Sequence, residues 1–305
     1  DMTPCIACLQ GCVANMYAGN PVCCLTNPFL GHEAEPLEKA EEPKKVMVIG
    51  GGVAGLSAAF IAKERGHEVT LYEAGDVLGG NMRLAAYPPG KGDITNMIRS
   101  YIHRCQKDGV KIVMNCEVTP ELIKEEKPDS VIIATGSKTL ILPIEGIDNP
   151  AIIHGSDLLD GKRAAGKKVL VVGGGMVGCE TAAFLGEQEH DVTVIEFRDT
   201  VGADVIHEHR VYLMKDFEDY GIKEITGAKV CKFYEDGVEY ETADGVRHES
   251  RGYDSVILSM GFRNYNPLEE KIKDLVPETH VIGDAIRARR ALDATKEAYE
   301  VASRI

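Results

Sequence analysis

The sequence predicts an α/β protein with two doubly wound, Rossmann-like domains, the second inserted in the first, preceded by an irregular Cys-rich segment. The main observation is a pattern that occurs twice. Residues 46–74 (VMVIGGGVAGLSAAFIAKERGHEVTLYEA) align without a gap with residues 169–197 (VLVVGGGMVGCETAAFLGEQEHDVTVIEF). Each copy reads as an apolar strand, a glycine-rich turn, a helix, a second apolar strand and a final glutamate. The other observations are a short apolar strand near His280 and five cysteines within the first 24 residues.

The domain organisation follows from composition and strand order. Residues 34–45 (AEPLEKAEEPKK) are charged and carry a proline near each end, which is typical of a linker. The late strand and the helix after it are expected to return to the first domain and complete it. We therefore predict a Cys-rich segment at 1–33, a linker at 34–45, the first part of domain one at 46–150, domain two at 151–276 and the end of domain one at 277–305. Because the chain starts at Asp1 and a cysteine motif follows four residues later, we expect a piece of a longer polypeptide.

Charge and cysteine usage narrow the function classes. The net charge of −14 argues against nucleic acid or an anionic membrane as a partner. No run of 18 apolar residues is present, so no membrane-spanning helix is expected. The nine cysteines are odd in number and crowd at one end, which does not fit a secreted disulfide framework. We expect a cytoplasmic protein with a metal site, and the sequence leaves homo-oligomerisation open.

The first repeat carries the pattern of a dinucleotide site. Gly50 permits the tight turn from strand to helix, Gly52 lets the backbone approach a pyrophosphate, and Gly55 lets the helix pack against the strand. Glu73 ends the second strand, where a carboxylate accepts hydrogen bonds from ribose hydroxyls. The phosphates are expected at the helix N-terminus, beside the amides of Val53 and Ala54.

The second repeat has the same residues in the same places. Its glycines are Gly173, Gly175 and Gly178, its distal acid is Glu196, and the helix begins at Met176 and Val177. The alternative is a degenerate repeat that keeps the fold and binds nothing. A carboxylate at this position repels the 2′-phosphate of NADP, so we favour NADH over NADPH, although the nearby Arg198 could soften that preference. Two dinucleotide sites in one chain usually serve electron transfer between the two nucleotides.

Four early cysteines form a second motif. Cys5, Cys8, Cys12 and Cys24 offer four thiolates, which suit tetrahedral zinc or a 4Fe–4S cluster. Three closely spaced cysteines and one distant one favour the iron–sulfur cluster, since zinc sites more often use two CxxC pairs. Cys23 competes with Cys24 for the fourth place, and the spacing does not decide between them.

Further motifs resemble those of two-dinucleotide flavoprotein reductases. The resemblance rests on Ala134-Thr135-Gly136 after a strand and on the late Gly283-Asp284. It implies FAD in the first domain, with Asp284 bonding the flavin's ribityl chain, and the nicotinamide nucleotide in the second domain. Gly80 and Asn81, which follow the first repeat, are assigned to FAD, and Gly261 to NADH. An ordinary helix N-cap is the alternative for Gly283-Asp284.

The cysteine stretch CIACLQGCVANMYAGNPVCCLTNP, followed by Gly31-His32-Glu33, resembles the cluster segment of a known group. This group comprises the 2,4-dienoyl-CoA and enoate reductases among the old-yellow-enzyme-like NADH:flavin oxidoreductases. In its pattern two residues separate the fourth cysteine from Asn-Pro, which selects Cys24, and the cluster is 4Fe–4S. Members begin with a barrel domain that holds FMN and the substrate, and nothing in this chain corresponds to that barrel. Trimethylamine dehydrogenase shares the architecture but differs in cluster spacing.

The resemblance implies the electron-input half of an iron–sulfur flavoenzyme. Hydride would pass from NADH to FAD, and single electrons would pass through the cluster to FMN in the missing barrel, which reduces an activated C=C bond. No general acid or nucleophile is expected in this chain. A dithiol mechanism is disfavoured, since the segment LGGNMRLAAYPPGK after the first repeat contains no cysteine. The rivals are a non-catalytic nucleotide-binding module and a reductase subunit that feeds a separate acceptor protein.

Overall fold

A computed structural model describes residues 2–305. Its strands are β1 (Lys45–Ile49), β2 (Glu68–Tyr72), β3 (Lys111–Val113), β4 (Ser130–Ile133), β5 (Ser137–Thr139), β6 (Ile152–His154), β7 (Lys168–Val172), β8 (Asp191–Ile195), β9 (Lys223–Ile225), β10 (Lys229–Tyr234), β11 (Gly237–Glu241), β12 (Arg247–Ser250), β13 (Ser255–Leu258), β14 (Phe262–Asn264) and β15 (Glu278–Val281). Its α-helices are α1 (Val13–Tyr17), α2 (Val53–Glu64), α3 (Asn81–Leu84), α4 (Ile94–Lys107), α5 (Pro120–Glu126), α6 (Gly155–Leu159), α7 (Met176–Glu187), α8 (His207–Asp219), α9 (Glu269–Ile272) and α10 (Ala291–Ala302).

The first of two compact units contains a five-stranded parallel sheet in the order β15-β4-β1-β2-β3. Strand β1 lies between β2 and β4, with Val48 opposite Leu71 on one side and Ile132 on the other. These strands are buried on both faces, as their unbroken apolar character requires. Strand β15, which follows the second repeat in the chain, pairs in parallel with β4. The predicted insertion of the second domain in the first is therefore confirmed.

The second unit repeats this architecture. Its parallel sheet has the order β6-β13-β7-β8-β9, and β7 lies between β13 and β8 in the position that β1 takes in the first unit. The unit also contains a separate antiparallel sheet of β10, β11 and β12, with a turn at Asp244-Gly245 between β11 and β12. The two Rossmann-like sheets confirm the predicted fold class.

The unit boundaries lie at Lys138/Thr139 and Phe262/Arg263, whereas the sequence placed them at 150/151 and 276/277. The difference has a packing origin. Ile144 packs with the core of β10 and β13 in the second unit, and Ile272 packs with the core around β4 in the first. The short segment Tyr87–Lys91, although enclosed by first-unit sequence, belongs to the second unit.

The Cys-rich segment is part of the first unit. It is irregular apart from α1, which begins directly after Cys12. Ile6 and Leu25 are buried in the same apolar core as α2, and the buried Tyr101 of α4 donates a hydrogen bond to the Leu25 carbonyl at 3.0 Å. Within residues 2–305, no helix has both the length and the apolar character needed to cross a membrane.

Two glycine turns and a cysteine segment as the candidate functional site

In the first turn, glycine is required by close backbone contacts at two positions. Gly50 has φ 108°, and a Cβ there would lie 2.3 Å from the carbonyl oxygen of Ala134. A Cβ at Gly55 would lie 1.9 Å from the carbonyl oxygen of Gly50. Both distances are far below van der Waals contact, so the strand β1, the start of α2 and the end of β4 approach closely only because these residues lack side chains.

Gly52 differs from its two neighbours in the motif. It is the N-cap of α2 with an ordinary extended backbone (φ −73°), and a Cβ there would meet no protein atom within 4 Å. The fold therefore does not require glycine at this position. Open space in front of a helix N-terminus, where amides carry partial positive charge, is what an approaching phosphate needs.

The two distal carboxylates have matching hydrogen bonds. Glu73 accepts one bond from the amide of Gly51 and one from the amide of Gly75, both at 2.7 Å. Glu196 accepts bonds from the amides of Gly174 (2.6 Å) and Arg198 (2.9 Å). Each carboxylate is thereby fixed beside its glycine turn, at the end of the second strand, with further lone pairs able to accept bonds from ribose hydroxyls.

The second turn repeats the close contacts of the first. A Cβ at Gly173 would lie 2.4 Å from the carbonyl oxygen of Ser259, and a Cβ at Gly178 would lie 1.8 Å from that of Gly173. One feature has no parallel in the first turn. The amide of Met176, the first residue of α7, donates a 2.8 Å hydrogen bond to the carboxylate of Asp204. Sequence reasoning missed Asp204, although it stands where Asn81 stands when the repeat alignment is extended by seven residues.

The residues assigned to FAD by resemblance form a connected set in the first unit. Asn81 donates to the hydroxyl of Ser137, which in turn donates to Asp284 at 2.9 Å. Asp284 also accepts a bond from the amide of Arg289 (3.0 Å). Gly136 has φ 75°, as a sharp turn at the end of β4 requires. These contacts bring together the loop after β2, the end of β4 and the segment after β15.

The alternative reading of Gly283-Asp284 as a helix N-cap is wrong. These residues form a short 3₁₀ turn, and α10 begins only at Ala291. The N-cap of α10 is Arg290, whose amide donates to the side chain of Asp293. Asp284 therefore does not cap α10.

Gly261 lies in the second unit, as assigned. It follows β13 with φ 97°, and its carbonyl accepts a hydrogen bond from the amide of Leu140 at 2.9 Å. A Cβ at Gly261 would meet no protein atom within 4 Å. The position therefore resembles Gly52 in leaving open space beside the carboxyl end of a parallel strand, where ligands of such sheets bind.

Among the four predicted metal ligands, Cys8 is affected by the charges of the other three. Burial raises the pKa of the Cys8 thiol, and the charges of Cys24, Cys12 and Cys5 raise it further, against a lowering hydrogen bond from Gln10. The amide of Ala7, in the left-handed conformation (φ 50°), donates to the sulfur of Cys5 at 3.4 Å. Among the described residues, no three His, Cys, Asp or Glu side chains are already arranged as a metal site. The donor chemistry suits the cluster, and the ligands would have to close around it.

Cys23 has different surroundings from Cys24. Its sulfur accepts a hydrogen bond from the side-chain amide of Asn15 at 3.4 Å. A Cβ added at Gly11 would lie 2.9 Å from the same sulfur. The thiol of Cys24 is instead 3.3 Å from the hydroxyl of Thr26. Cys23 therefore packs against the turn before α1, whereas Cys24 is the one of the two whose charge acts on Cys8.

The buried cysteines outside this segment are expected to be unreactive. Burial raises the pKa of Cys105 and of Cys179 to about 12, and all nine cysteines are free thiols. Since the thiolate is the reactive form, both should resist alkylation of the native protein at pH 8, while the partly exposed Cys231 should react. Mass spectrometry of alkylated peptides checks this, and rapid labelling of Cys179 before unfolding would contradict it.

Most of the chain matches a known protein family. The model of the pyridine nucleotide-disulphide oxidoreductase family matches residues 44–282, which include both repeats. The chain belongs to this family. This is a family of FAD- and NADH-binding oxidoreductases, which agrees with the presence of two glycine turns.

Individual relatives extend the match to the Cys-rich segment. The chain is 34% identical to a cinnamate reductase of Clostridium sporogenes and 32% identical to a metal reductase of Desulforamulus reducens, in each case over 99% of this chain and 45% and 50% of the relative. A solved structure of 2-naphthoyl-CoA reductase superposes with a TM-score of 0.93 at 33% identity, over 99% of this chain and 46% of that one. The predicted resemblance is confirmed, and the chain spans about half the length of these relatives.

Proposed function

We propose that this chain is the NADH-oxidising electron-input module of an iron–sulfur flavoenzyme. Hydride passes from NADH to FAD, and single electrons pass through a 4Fe–4S cluster to FMN in a barrel domain outside this chain, where an activated C=C bond is reduced. The observation that carries the proposal is the duplicated glycine turn, with its carboxylate held by two amides in each unit.

The first unit is the better candidate for FAD. Gly52 leaves room for a pyrophosphate at the N-terminus of α2, and Glu73, hydrogen-bonded to the same turn, would accept bonds from the ribose of the adenosine half. The hydrogen-bonded chain of Asn81, Ser137 and Asp284 offers polar groups for the flavin's ribityl half. The chain's residues bind and orient the flavin, and they supply no proton to it in this proposal.

The second unit would hold NADH, through Glu196 and the N-terminus of α7. Neutral Gln at position 196 keeps an oxygen acceptor but removes the charge that disfavours the 2′-phosphate of NADPH. For Glu196→Gln we therefore expect the preference for NADH over NADPH to fall by about tenfold. Comparing NADH and NADPH affinities in the wild type and variant measures this, with the matched first-unit variant Glu73→Gln as control. An unchanged preference would contradict the assigned role of Glu196.

The iron–sulfur cluster would be held by Cys5, Cys8, Cys12 and Cys24. Support comes from the four thiols, their mutual charge interaction at Cys8, and the anchoring of the segment in the first-unit core by Ile6 and Leu25. A cluster at this place supplies one-electron transfer. Reduced thiols in this number also favour a cytoplasmic location.

The names of the relatives support a module whose acceptor is chosen elsewhere. Proteins that share essentially all of this chain are named for the reduction of cinnamate, of metal and of 2-naphthoyl-CoA. Because these compounds differ while the shared half persists, the part that selects the substrate would lie in the other half of those proteins. We infer a covalently linked FMN barrel as the partner, and cinnamate and naphthoyl-CoA favour an unsaturated acid or its thioester as substrate.

The decisive experiment is direct reduction of the bound flavin. The purified chain, loaded with FAD and kept free of oxygen, should lose its visible flavin absorbance within seconds of NADH addition. Retained absorbance with both nucleotides bound would instead favour a non-catalytic nucleotide-binding module. Reduction that proceeds only with a co-purifying protein would favour a subunit feeding a separate acceptor.

A further inference from the structure

The N-terminus of α7 is covered by a carboxylate from the same unit. Asp204 lies in the loop between β8 and α8, and its Oδ1 accepts the hydrogen bond from the amide of Met176 at 2.8 Å. A Cβ added at Gly175, the N-cap of α7, would lie 3.4 Å from the Oδ2 of Asp204. The anion therefore sits over the amide that this glycine turn presents, where a nucleotide pyrophosphate is expected.

The first unit shows what the same loop does without this carboxylate. The amide of Gly79 donates to the carbonyl of Gly51 at 2.8 Å, and the amide of Gly202 donates to the carbonyl of Gly174 at 2.7 Å. The two loops therefore start in the same way. Two residues later the first loop has Asn81 and the second has Asp204.

The two side chains have different partners. The amide group of Asn81 is neutral and contacts the carbonyl and hydroxyl oxygens of Ser137, at 3.4 Å each. Its unit leaves the space in front of Gly52 open, with no protein atom within 4 Å of a Cβ there. In the second unit the corresponding space borders a negative charge.

We propose that Asp204 competes with the pyrophosphate of the nicotinamide nucleotide for the N-terminus of α7 and so keeps nucleotide affinity low. This inference rests on the proposed binding of NADH at the second turn. A carboxylate and a pyrophosphate are both anions and need the same amides and the same positive end of the helix. Asp204 is exposed, so water can solvate its carboxylate when the nucleotide takes the amides. Weak binding of this kind favours rapid exchange of oxidised for reduced nucleotide.

The test compares Asp204→Asn and Asp204→Ala with the wild type in the FAD-loaded chain. Dissociation constants are measured by calorimetry for NAD⁺, for ADP and for adenosine. Both variants should bind NAD⁺ and ADP about tenfold more tightly, because an anion near the pyrophosphate is removed. Adenosine has no phosphate, so its affinity should stay within about twofold. In the converse variant, Asn81→Asp, the affinity for FAD should fall while that for NAD⁺ is unchanged.

The controls separate competition from loss of structure. Asp204→Asn keeps an oxygen that can accept the Met176 hydrogen bond, so its melting temperature without NAD⁺ should match the wild type. If the wild type binds NAD⁺ and neither variant binds it more tightly, the competition is refuted and the proposed function stands. Equal tightening for adenosine also refutes it. If none of the three proteins binds NAD⁺, the second turn is not the nicotinamide site and both proposals fail.

Discussion

Replacing Gly52 by Ala is expected to weaken FAD binding by roughly a hundredfold while leaving the fold unchanged. The methyl group would project into space that contains no protein atom within 4 Å, and the backbone at Gly52 (φ −73°) suits any residue. Nothing in the apoprotein should therefore resist it. In the proposed complex the same space holds the pyrophosphate, which would be pushed away from the amides of α2. FAD titration by fluorescence, with thermal unfolding of the apoprotein, measures both quantities.

Two matched variants serve as controls for Gly52→Ala. Gly55→Ala would place a Cβ 1.9 Å from the carbonyl oxygen of Gly50, so it should destabilise the apoprotein by about 3 kcal/mol. Gly175→Ala makes only ordinary contacts with Asp204 and should weaken NADH binding without affecting FAD. If Gly52→Ala bound FAD with wild-type affinity, no phosphate would approach α2 and the assignment of FAD to the first unit would be wrong.

The duplicated nucleotide units were predictable because their sequence pattern is local. Strand, turn, helix, strand and acid follow one another within 29 residues, and the contacts that require Gly55 and Gly178 lie inside that segment. The return of β15 to the first sheet was also predictable, since a lone apolar strand followed by a helix needs a parallel neighbour. In both cases the short-range sequence pattern and the tertiary structure favour the same fold.

Features that depend on distant partners were not visible in the sequence. The boundary near residue 138 follows from the packing of Ile144 against strands almost 90 residues later, which no local pattern records. Asp204 aligns with Asn81 when the repeat is extended, but its hydrogen bond from the amide of Met176 could not be predicted from the sequence. The buried Glu180 of α7, which forms an ion pair with Lys91, was missed for the same reason.

Replacing Cys24 by Ser is expected to prevent assembly of the iron–sulfur cluster, whereas Cys23→Ser should leave it intact. The two cysteines are adjacent in sequence, so spacing does not distinguish them. Their environments do. Cys23 is engaged with Asn15 and packed against Gly11, while Cys24 is the one whose charge acts on the Cys8 thiol. Serine keeps the size of the side chain and removes the soft sulfur ligand that iron–sulfur clusters require.

Reconstitution of the FAD-loaded chain with iron and sulfide must exclude oxygen, because Cys5 and Cys12 are exposed and thiolates oxidise readily. Iron and acid-labile sulfide are then assayed after gel filtration. The wild type and Cys23→Ser should each retain about four irons per chain, and Cys24→Ser close to none. If Cys24→Ser instead retained the irons and Cys23→Ser lost them, Cys23 would be the fourth ligand in place of Cys24. If the wild type instead bound a single zinc ion tightly and no sulfide, the four cysteines would form a structural metal site. Zinc does not change its oxidation state, so this result would contradict the proposed electron transfer through the site.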